Sequence, residues 1–227
     1  TFADINTNYK NPDYIKNRAI LTTRNTDVED INQLILQKIP DFEEFEYLSA
    51  DSVEGKDQGD QSLYPVEFLN TLTPSRMPPY CLVLKKDELV ILLRNLDPTE
   101  GLCNGTRLII KNCYKFILDT KILTGVNKGK IIFISQLRLS PSDSDLLFQL
   151  VRHQFPIKLS FAMTINKAQG QTIPNMGLYL PKPVFAHGQL YVALSRVQSK
   201  DKIKVLVKNG HVEGKEGVYT KNVVYKE

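Results

Sequence analysis

The sequence predicts an α/β fold in which a parallel sheet with helices on both faces is interrupted by a small antiparallel β-barrel. Two observations lead to this prediction. Strands alternate with helices near both ends of the chain, whereas the middle consists of short apolar runs separated by turns, without intervening helices. The expected parts are a lead-in at 1–16, a first α/β part at 17–75, the inserted barrel at 76–150, a second α/β part at 151–210 and a tail at 211–227.

The first α/β part opens with a strand and then a helix. Residues 18–23 form a short apolar run that is typical of a buried strand. Residues 26–29, Thr-Asp-Val-Glu, have the form of a capping box, apolar residues follow at helical spacing, and Pro40 ends the helix. Further along, the pattern predicts a strand at 44–49, an exposed loop at 51–62 and a short helix at 65–72.

The middle of the chain has the pattern of an antiparallel barrel, because turn signals with Asp, Asn and Gly separate its apolar runs. Residues 125–130, Gly-Val-Asn-Lys-Gly-Lys, look like a phosphate loop. However, three residues rather than four separate the glycines, and Ile131 follows the last lysine, so a hairpin turn is the better interpretation. The predicted strands lie at 82–84, 89–93, 108–110, 114–118 and 130–134.

The α/β pattern returns after Phe155. Ile157, Leu159 and Phe161 alternate with polar residues, which predicts one strand leading into a short helix at 164–169. Beyond it we expect a strand at 176–180, a helix at 184–197, a strand at 203–207 and an extended or edge segment at 217–227.

Composition and charge indicate a globular protein with a basic C-terminal third. Of the 227 residues, 42% are hydrophobic and 24% are charged, an ordinary balance for a folded domain. Residues 1–150 carry 17 basic and 21 acidic side chains, whereas residues 151–227 carry 12 and 4, so the two balances are −4 and +8. A basic face of this kind suits a polyanion, although a solvated lysine surface explains the same counts.

Simple features exclude several classes of protein. No apolar run approaches the roughly 18 residues of a membrane-spanning helix, so we expect no membrane partner. The first residues lack the basic and apolar regions of a signal peptide, and the missing initiator Met fits a fragment of a longer protein. The three cysteines and three histidines show no zinc-binding spacing, so we expect reduced thiols in an intracellular protein and no metal site.

A dense polar cluster follows the strand predicted after Phe155. Thr164, Asn166, Lys167 and Gln171 lie beside Gly170, which permits a tight turn. Ligands of open parallel sheets bind at the carboxyl ends of strands, so this cluster is a candidate site. Lys167 can pair with a phosphate, and the hydroxyl and amide groups can bind backbone oxygens of a nucleic acid. A helix cap followed by a polar loop is the competing interpretation.

Two further positions are candidates. Arg196 lies at the end of an apolar helix, where its planar fork suits phosphate oxygens. In phosphoryl-transfer enzymes such an arginine contributes about 10³–10⁵ in rate, yet the helix macrodipole also favours an arginine there. Asn104, in the turn Asn-Gly-Thr-Arg, can touch a nucleic-acid backbone, but an ordinary hairpin turn is an equally good interpretation.

Residues 161–172 and 187–197 resemble the fifth and sixth motifs of Pif-type DNA helicases, members of helicase superfamily one. The similarity is greatest to the helicase region of Helitron transposon proteins, and it runs from about Asn17 to the end of the chain. Further matching segments lie at 64–70, 92–97, 101–108, 154–156 and 222–227.

This resemblance implies a fold, an activity and partners. The chain would be the second RecA-like motor domain of a helicase, with a Src-homology-three-like barrel inserted in it. The parent protein would couple ATP hydrolysis to 5′-to-3′ movement on single-stranded DNA and to duplex unwinding. ATP and Mg²⁺ would bind at a site completed by the N-terminal RecA-like domain of the same protein. The location would be the nucleus, in DNA repair, DNA recombination or transposition.

The same resemblance assigns a role to each candidate residue. Arg196 would be the arginine finger of the sixth motif. The ATP side would comprise Arg24, Gly170, Gln171 and Gln189, and the DNA side Thr164, Asn166, Lys167 and Asn104.

Some features depart from the family pattern. Ser135-Gln136 replaces the usual Pro-Arg after the barrel, and His153 stands where a basic residue is usual, which weakens the expected surface contacts with DNA. The larger departure is that the sequence contains no G-x-x-x-x-G-K-[ST] phosphate loop and no strand ending in an acidic pair for Mg²⁺. We therefore expect the chain alone to lack ATPase and unwinding activity.

Two other functions stay open at the level of sequence. The chain could be a non-catalytic single-stranded DNA-binding remnant of a transposon helicase, which a degraded phosphate loop upstream would indicate. A metabolic α/β enzyme would need a set of acid–base groups around a small-molecule pocket, and the sequence offers no convincing set.

Overall fold

The computed structural model describes residues 1–40, 43–54, 64–141 and 146–225. It divides into two compact units, one formed by Thr1–Pro40 with Ser160–Glu227 and the other by Asp41–Leu159. The chain therefore begins in the first unit, leaves it to build the second, and then returns. Within the described ranges, no helix has the length and apolar character needed to cross a membrane.

The secondary-structure elements are labelled in chain order. The α-helices of the described residues are α1 (Ile5–Asn8), α2 (Pro12–Lys16), α3 (Asn25–Lys38), α4 (Val66–Thr71) and α5 (Gln189–Leu194), with 3-10 helices at Ile165–Ala168 and Lys200–Lys202. The strands are β1 (Arg18–Thr22), β2 (Phe45–Leu48), β3 (Ala50–Glu54), β4 (Cys81–Leu84), β5 (Leu89–Leu92), β6 (Arg107–Cys113), β7 (Ile117–Ile122), β8 (Ile131–Ser135), β9 (Leu137–Leu139), β10 (Gln149–Gln154), β11 (Ile157–Leu159), β12 (Ala162–Thr164), β13 (Asn175–Leu180) and β14 (Ile203–Val207).

The first unit is built on a parallel sheet with the strand order β12-β1-β13-β14. Alternate residues of β1 point to opposite faces, as in any strand. Ala19 and Leu21 pack in a core with the 3-10 helix that follows β12 and with Ala193 of α5. On the other face, Asn32 of α3 accepts a hydrogen bond from the backbone N–H of Ala162 at 2.8 Å. The predicted parallel sheet with helices on both faces is confirmed.

Helix α3 begins two residues earlier than the sequence pattern predicts. Arg24, in an extended conformation, is the N-cap, so the predicted capping box at 26–29 is wrong. No side chain caps the helix, but Asp27 in its first turn complements the helix dipole. The predicted end before Pro40 is confirmed, because α3 ends at Lys38.

The second unit is antiparallel throughout. Its largest sheet has the order β11-β5-β6-β7-β8, and smaller sheets have the orders β3-β10-β9 and β2-β4. The five predicted barrel strands are present, with one shift: the run predicted at 114–118 becomes β7, which starts at Ile117. Residues 114–116 lie before the strand, where Tyr114 donates its backbone N–H to the carbonyl of Ile117 at 3.0 Å. The glycine-rich segment 125–130 joins β7 to β8 as a hairpin turn.

The boundaries of the second unit differ from the expected 76–150, since it spans 41–159. The reason is strand pairing: β2 pairs with β4, and β3 pairs with β10, which ties residues 45–54 to the barrel side. The exposed loop expected at 51–62 is wrong for its first four residues, which complete β3. Positions 55–62 of that expected loop lie outside the described residues.

Two predictions for the second α/β part are also corrected. The strand predicted at 157–161 is shorter than expected: β11 ends at Leu159 and pairs antiparallel with β5 in the second unit, and a separate strand, β12, begins at Ala162 and pairs parallel with β1 in the first. An alternating pattern predicts that a segment is a strand but does not identify the strand with which it pairs. The interruption at Ser160 therefore could not be predicted from the sequence. The helix predicted at 184–197 is limited to α5, because Gly188 adopts a left-handed φ of +72° immediately before it. The described part of the tail contains no strand.

Candidate functional site

Three parallel strands end at the same edge of the first unit, and their following residues form a cleft. The segments after β1, β12 and β13 all reach this carboxyl edge because the strands run in one direction. The cleft has a volume of about 470 Å³. It is lined by Thr23, Arg24, Asn25, Thr164, Asn166 and Phe185.

The β1 side of the cleft combines a cation with the start of a helix. Arg24 is exposed and leads directly into α3, whose first backbone N–H groups lack intrahelical partners. A helix N-terminus favours anions, and a guanidinium beside it adds a full positive charge. Thr23 is 5% exposed, and its hydroxyl has no hydrogen-bond partner among the described residues. This side of the cleft is therefore suited to phosphate oxygens.

The β12 side places polar groups on a short 3-10 helix. Ile165 and Ala168 are fully buried and anchor this helix to the core. The alternation leaves Asn166 exposed and Lys167 half-buried, with Thr164 half-buried at the strand end. Apolar anchors thus fix the direction in which the polar side chains face. The structure confirms that the predicted cluster lies at the end of a parallel strand.

The turn after this helix is held by its own hydrogen bonds. Gly170 has a φ of +79°, a conformation that side chains with a Cβ rarely adopt. Gln171 donates its backbone N–H to the carbonyl of Ala168 at 3.0 Å and its side-chain Nε2 to the carbonyl of Lys167 at 3.2 Å. The side chain of Gln171 therefore shapes the turn.

Arg196 joins this turn to the end of α5. Its Nη1 donates to the carbonyl of Gln171 at 3.3 Å, and its Nε donates to the carbonyl of Val192 at 3.0 Å. Its Nη2 donates to the hydroxyl of Ser195 at 2.8 Å. The carbonyl of Arg196 also accepts from the backbone N–H of Ile173 at 2.8 Å. The two sequence motifs, distant in the chain, are thus in direct contact.

The guanidinium of Arg196 keeps its positive charge uncompensated in the described part of the chain. The ion pairs found there involve other cations, and no carboxylate is paired with Arg196. Its three acceptors are neutral oxygens, and the side chain is partly exposed. A partly exposed, uncompensated guanidinium held by neutral groups can still bind an anion.

Gln189 has a structural contact that the sequence does not reveal. Its side chain is 3% exposed, and its Oε1 accepts the backbone N–H of Phe185 at 3.1 Å. This bond closes the turn between β13 and α5. Gln189 therefore fixes the segment that delivers Phe185 to the cleft, and its amide oxygen is already engaged.

Asn104 belongs to the second unit. It is exposed in the turn before β6, where its backbone N–H donates to Oδ1 of Asn95 at 2.8 Å. Gly105 follows with a φ of +93°. The turn predicted here is confirmed.

The residues of the cleft do not fit a metal site. None of the six lining residues carries a carboxylate, the ligand that Mg²⁺ requires from proteins. Across the described ranges, no group of three His, Cys, Asp or Glu side chains could hold a metal ion. The donor set suits phosphate and amide contacts, and any Mg²⁺ would need ligands from elsewhere.

Two of the three thiols are poor nucleophiles. Burial raises the pKa of Cys113 to about 11, and burial together with the nearby Glu46 raises the pKa of Cys81. Both groups are protonated near neutral pH, and a thiol is a far weaker nucleophile than a thiolate.

Comparison with known proteins finds relatives among DNA helicases. A family model described as "DNA helicase Pif1, 2B domain" matches residues 67–112, inside the second unit. The ATP-dependent DNA helicase PIF1 of Homo sapiens is 30% identical over 190 residues, and that of Xenopus laevis is 32% identical over 189. The chain is related to the Pif-type DNA helicases. Each match covers 82% of this chain but only 26% and 27% of the relatives, so the chain spans about a quarter of their length.

Solved structures agree with this Pif-type relationship. Bacteroides Pif1 bound to ssDNA matches with a TM-score of 0.61 and 25% identity, covering 83% of this chain and 40% of that one. Pif1 helicase from Candida albicans matches with a TM-score of 0.64 and 24% identity, covering 83% and 44%. The first unit therefore has the RecA-like fold, with the antiparallel second unit inserted into it.

Sequence reasoning missed two residues of the Pif-type cleft. Thr23 was assigned to the strand, and Phe185 to the helix after β13. Thr23 immediately follows β1, which is the signal that could have identified it, whereas Phe185 lies five residues after the end of β13 and has no such signal. Asn25, at the first position of α3, also lines the cleft.

Proposed function

We propose that the chain is the C-terminal motor half of an ATP-dependent DNA helicase that moves 5′ to 3′ on single-stranded DNA. The observation that supports this most directly is Arg196, whose uncompensated guanidinium is held against the Gly170 turn. We also propose that the protein belongs to the Helitron subgroup, on the strength of the matching segments at 64–70 and 222–227.

The ATP side of the proposed site comprises two groups of residues. Arg24, at the N-terminus of α3, would contact the phosphates of ATP. Arg196 would stabilise negative charge on the transferring phosphoryl group, which is worth about 10³–10⁵ in rate for an arginine in this role. Gly170 and Gln171 would position Arg196, and Gln189 would hold the turn that flanks the cleft.

The DNA side comprises polar groups on the β12 end of the cleft. Thr164 and Asn166 would bind backbone oxygens of the strand, and Lys167 would pair with a phosphate. In the second unit, Asn104 would add a backbone contact from its exposed turn. Thr164 and Asn166 line the same cleft as Arg24, so the proposed DNA and nucleotide contacts would share one edge of the sheet.

The proposed mechanism needs a first motor domain. Mg²⁺ bound with ATP would neutralise phosphate charge, but its ligands would come from that domain, since the cleft has no carboxylate. The residues of this chain would complete the nucleotide site from the opposite side and hold the DNA. The two domains would close when ATP binds and open after hydrolysis. This cycle would move the DNA contacts along the single strand.

DNA binding by the chain itself is the direct test of the DNA side. Fluorescence anisotropy with a labelled oligothymidine, repeated across a salt series, measures affinity and its salt dependence. We expect weak binding that falls steeply with salt, because phosphate contacts dominate such interfaces. Equal affinity at low and high salt would contradict the proposal.

A further inference from the structure

We propose that the C-terminal tail, residues 208–225, is a strap that fixes the turn before α5, and that Tyr225 is a positioning residue of the nucleotide site. The structural part of this inference concerns only the contacts of the tail. Its catalytic consequence rests on the proposed function. The tail was recognised in the sequence as a matching segment but received no role there.

The strap begins with a tight reversal after β14. Gly210 is packed so closely that a Cβ added to it would lie 2.6 Å from Cγ1 of Val218 and 3.0 Å from the carbonyl oxygen of Tyr219. Tyr219 donates its backbone N–H to the carbonyl of Gly210 at 2.7 Å. Its hydroxyl donates to the carbonyl of Glu216, also at 2.7 Å. Only glycine fits at position 210, so the reversal of the chain after β14 depends on this residue.

The strap ends on His187 by two contacts with one residue. The backbone N–H of Tyr225 donates to Nδ1 of His187 at 3.0 Å. The two rings stack, with centroids 5.0 Å apart and planes 11° from parallel. A backbone donor and a stacked ring on the same histidine define its position and its tautomer, because Nδ1 must be unprotonated to accept.

His187 lies in the turn that carries Phe185 to the cleft. It precedes Gly188, which has a φ of +72° and whose carbonyl accepts the N–H of Val192 at 2.9 Å. Gln189 closes the same turn by accepting from Phe185. Holding His187 therefore limits the freedom of the whole turn, including the residue that lines the cleft.

The end of the described tail is largely exposed. Tyr225 is 72% exposed and Val224 is 63% exposed, and the described tail adds no strand to the sheet. The contact between Tyr225 and His187 is therefore the feature that holds the end of the strap. Loss of this contact should free the turn without disturbing the core.

Amide hydrogen exchange on the 227-residue chain tests the strap. In Tyr225→Ala, we expect the amides of Phe185 and Val192 to exchange about fivefold faster, the effect of losing one modest interaction. Tyr225→Phe keeps both the ring and the backbone N–H and should match the wild type. Val224→Ala, a change of an exposed neighbour, should also match it.

Three results would overturn the strap. The first is unchanged exchange of Phe185 and Val192 in Tyr225→Ala. The second is the same acceleration in Tyr225→Phe, since that variant retains the contact. The third is equal acceleration of amides throughout the sheet of the first unit, which would mean general destabilisation.

The catalytic consequence has a separate readout in the longer protein that contains this chain. Tyr225→Ala should raise the KM for ATP several-fold while kcat is nearly retained, because the strap affects the placement of the turn. Unchanged KM would remove the positioning role. If Arg196→Ala does not affect turnover but the exchange result holds, the proposed function fails and the strap stands.

Discussion

Nη1 of Arg196 lies 3.3 Å from the carbonyl oxygen of Gln171, so a side chain at the end of α5 is fixed on the turn that follows β12. Neither segment could place a charge at the edge of the sheet alone. Gly170 gives the turn its shape, and the backbone of Gln171 supplies an acceptor that does not neutralise the guanidinium. The relationship makes the two motifs one structural unit.

Lys167→Ala should weaken binding of single-stranded DNA and reduce the salt slope by about 1, because one phosphate contact is lost. The matched control is Lys38→Ala, which removes an exposed charge at the far end of α3. The measurement is anisotropy across a salt series for both variants. If the control loses as much affinity and slope as Lys167→Ala, binding depends on overall charge rather than on the cleft.

Removing one partner of the ion pair between Asp51 and Arg152 should destabilise the second unit severely. Both side chains are fully buried, with Nη2 of Arg152 donating to Oδ2 of Asp51 at 2.5 Å and Nη1 to the carbonyl of Pro78 at 3.0 Å. Arg152→Ala leaves a carboxylate buried without its cation, which costs about 3–5 kcal/mol.

The readout for that prediction is amide exchange of the β6 and β7 strands, which reports unfolding of the second unit. Glu100→Gln is the control, because it breaks the exposed pair with Lys130, and such pairs contribute about 0–1 kcal/mol. Similar losses of protection from amide exchange in Arg152→Ala and Glu100→Gln would show that the buried ion pair stabilises the unit no more than the exposed pair does.

The stability of the second unit should fall as pH rises from about 5 to 8 through Glu88. Burial raises the pKa of Glu88 from 4.5 to about 8, so the folded state binds a proton that the unfolded state releases. The free energy of unfolding contributed by this group is highest below pH 4.5 and declines by at most about 1.4 kcal/mol per pH unit above it.

Glu88→Gln removes this titration, so its stability relative to the wild type should grow with pH over the same window. The measurement is urea unfolding of both proteins across the window, followed by a signal of the second unit. Parallel curves for the variant and the wild type would show that Glu88 does not titrate there.

The isolated chain should show no ATP turnover, because it has no phosphate loop. The measurement is phosphate release by the purified chain with and without single-stranded DNA. Turnover above background that disappears in Arg196→Ala would contradict the proposal that a first motor domain is required.

The sequence was sufficient for the fold class and for the edge on which the site lies. Period-2 apolar runs and glycine turns located most strands, and the polar cluster after β12 was recognisable because it directly follows an apolar run. These are local signals, and local patterns survive in the folded state.

The remaining features depend on contacts between distant residues. The second unit begins at residue 41 rather than at the predicted 76. The reason is that Asp51 pairs with Arg152, a partner 101 positions away. The continuous strand at 157–161 was wrong because Leu159 and Ala162 pair in different sheets. The sequence contains no signal that the side-chain amide oxygen of Gln189 accepts a hydrogen bond from the backbone N–H of Phe185 and so closes the turn.

The central claim is that Arg196 acts on ATP from this chain, and steady-state ATPase measurements on the proposed full-length helicase test this most directly. Arg196→Ala should lower kcat by about 10³-fold or more while binding of single-stranded DNA is retained. Lys167→Ala should weaken DNA binding and leave the DNA-saturated kcat close to the wild type. Retained turnover in Arg196→Ala at saturating ATP and DNA would contradict the account.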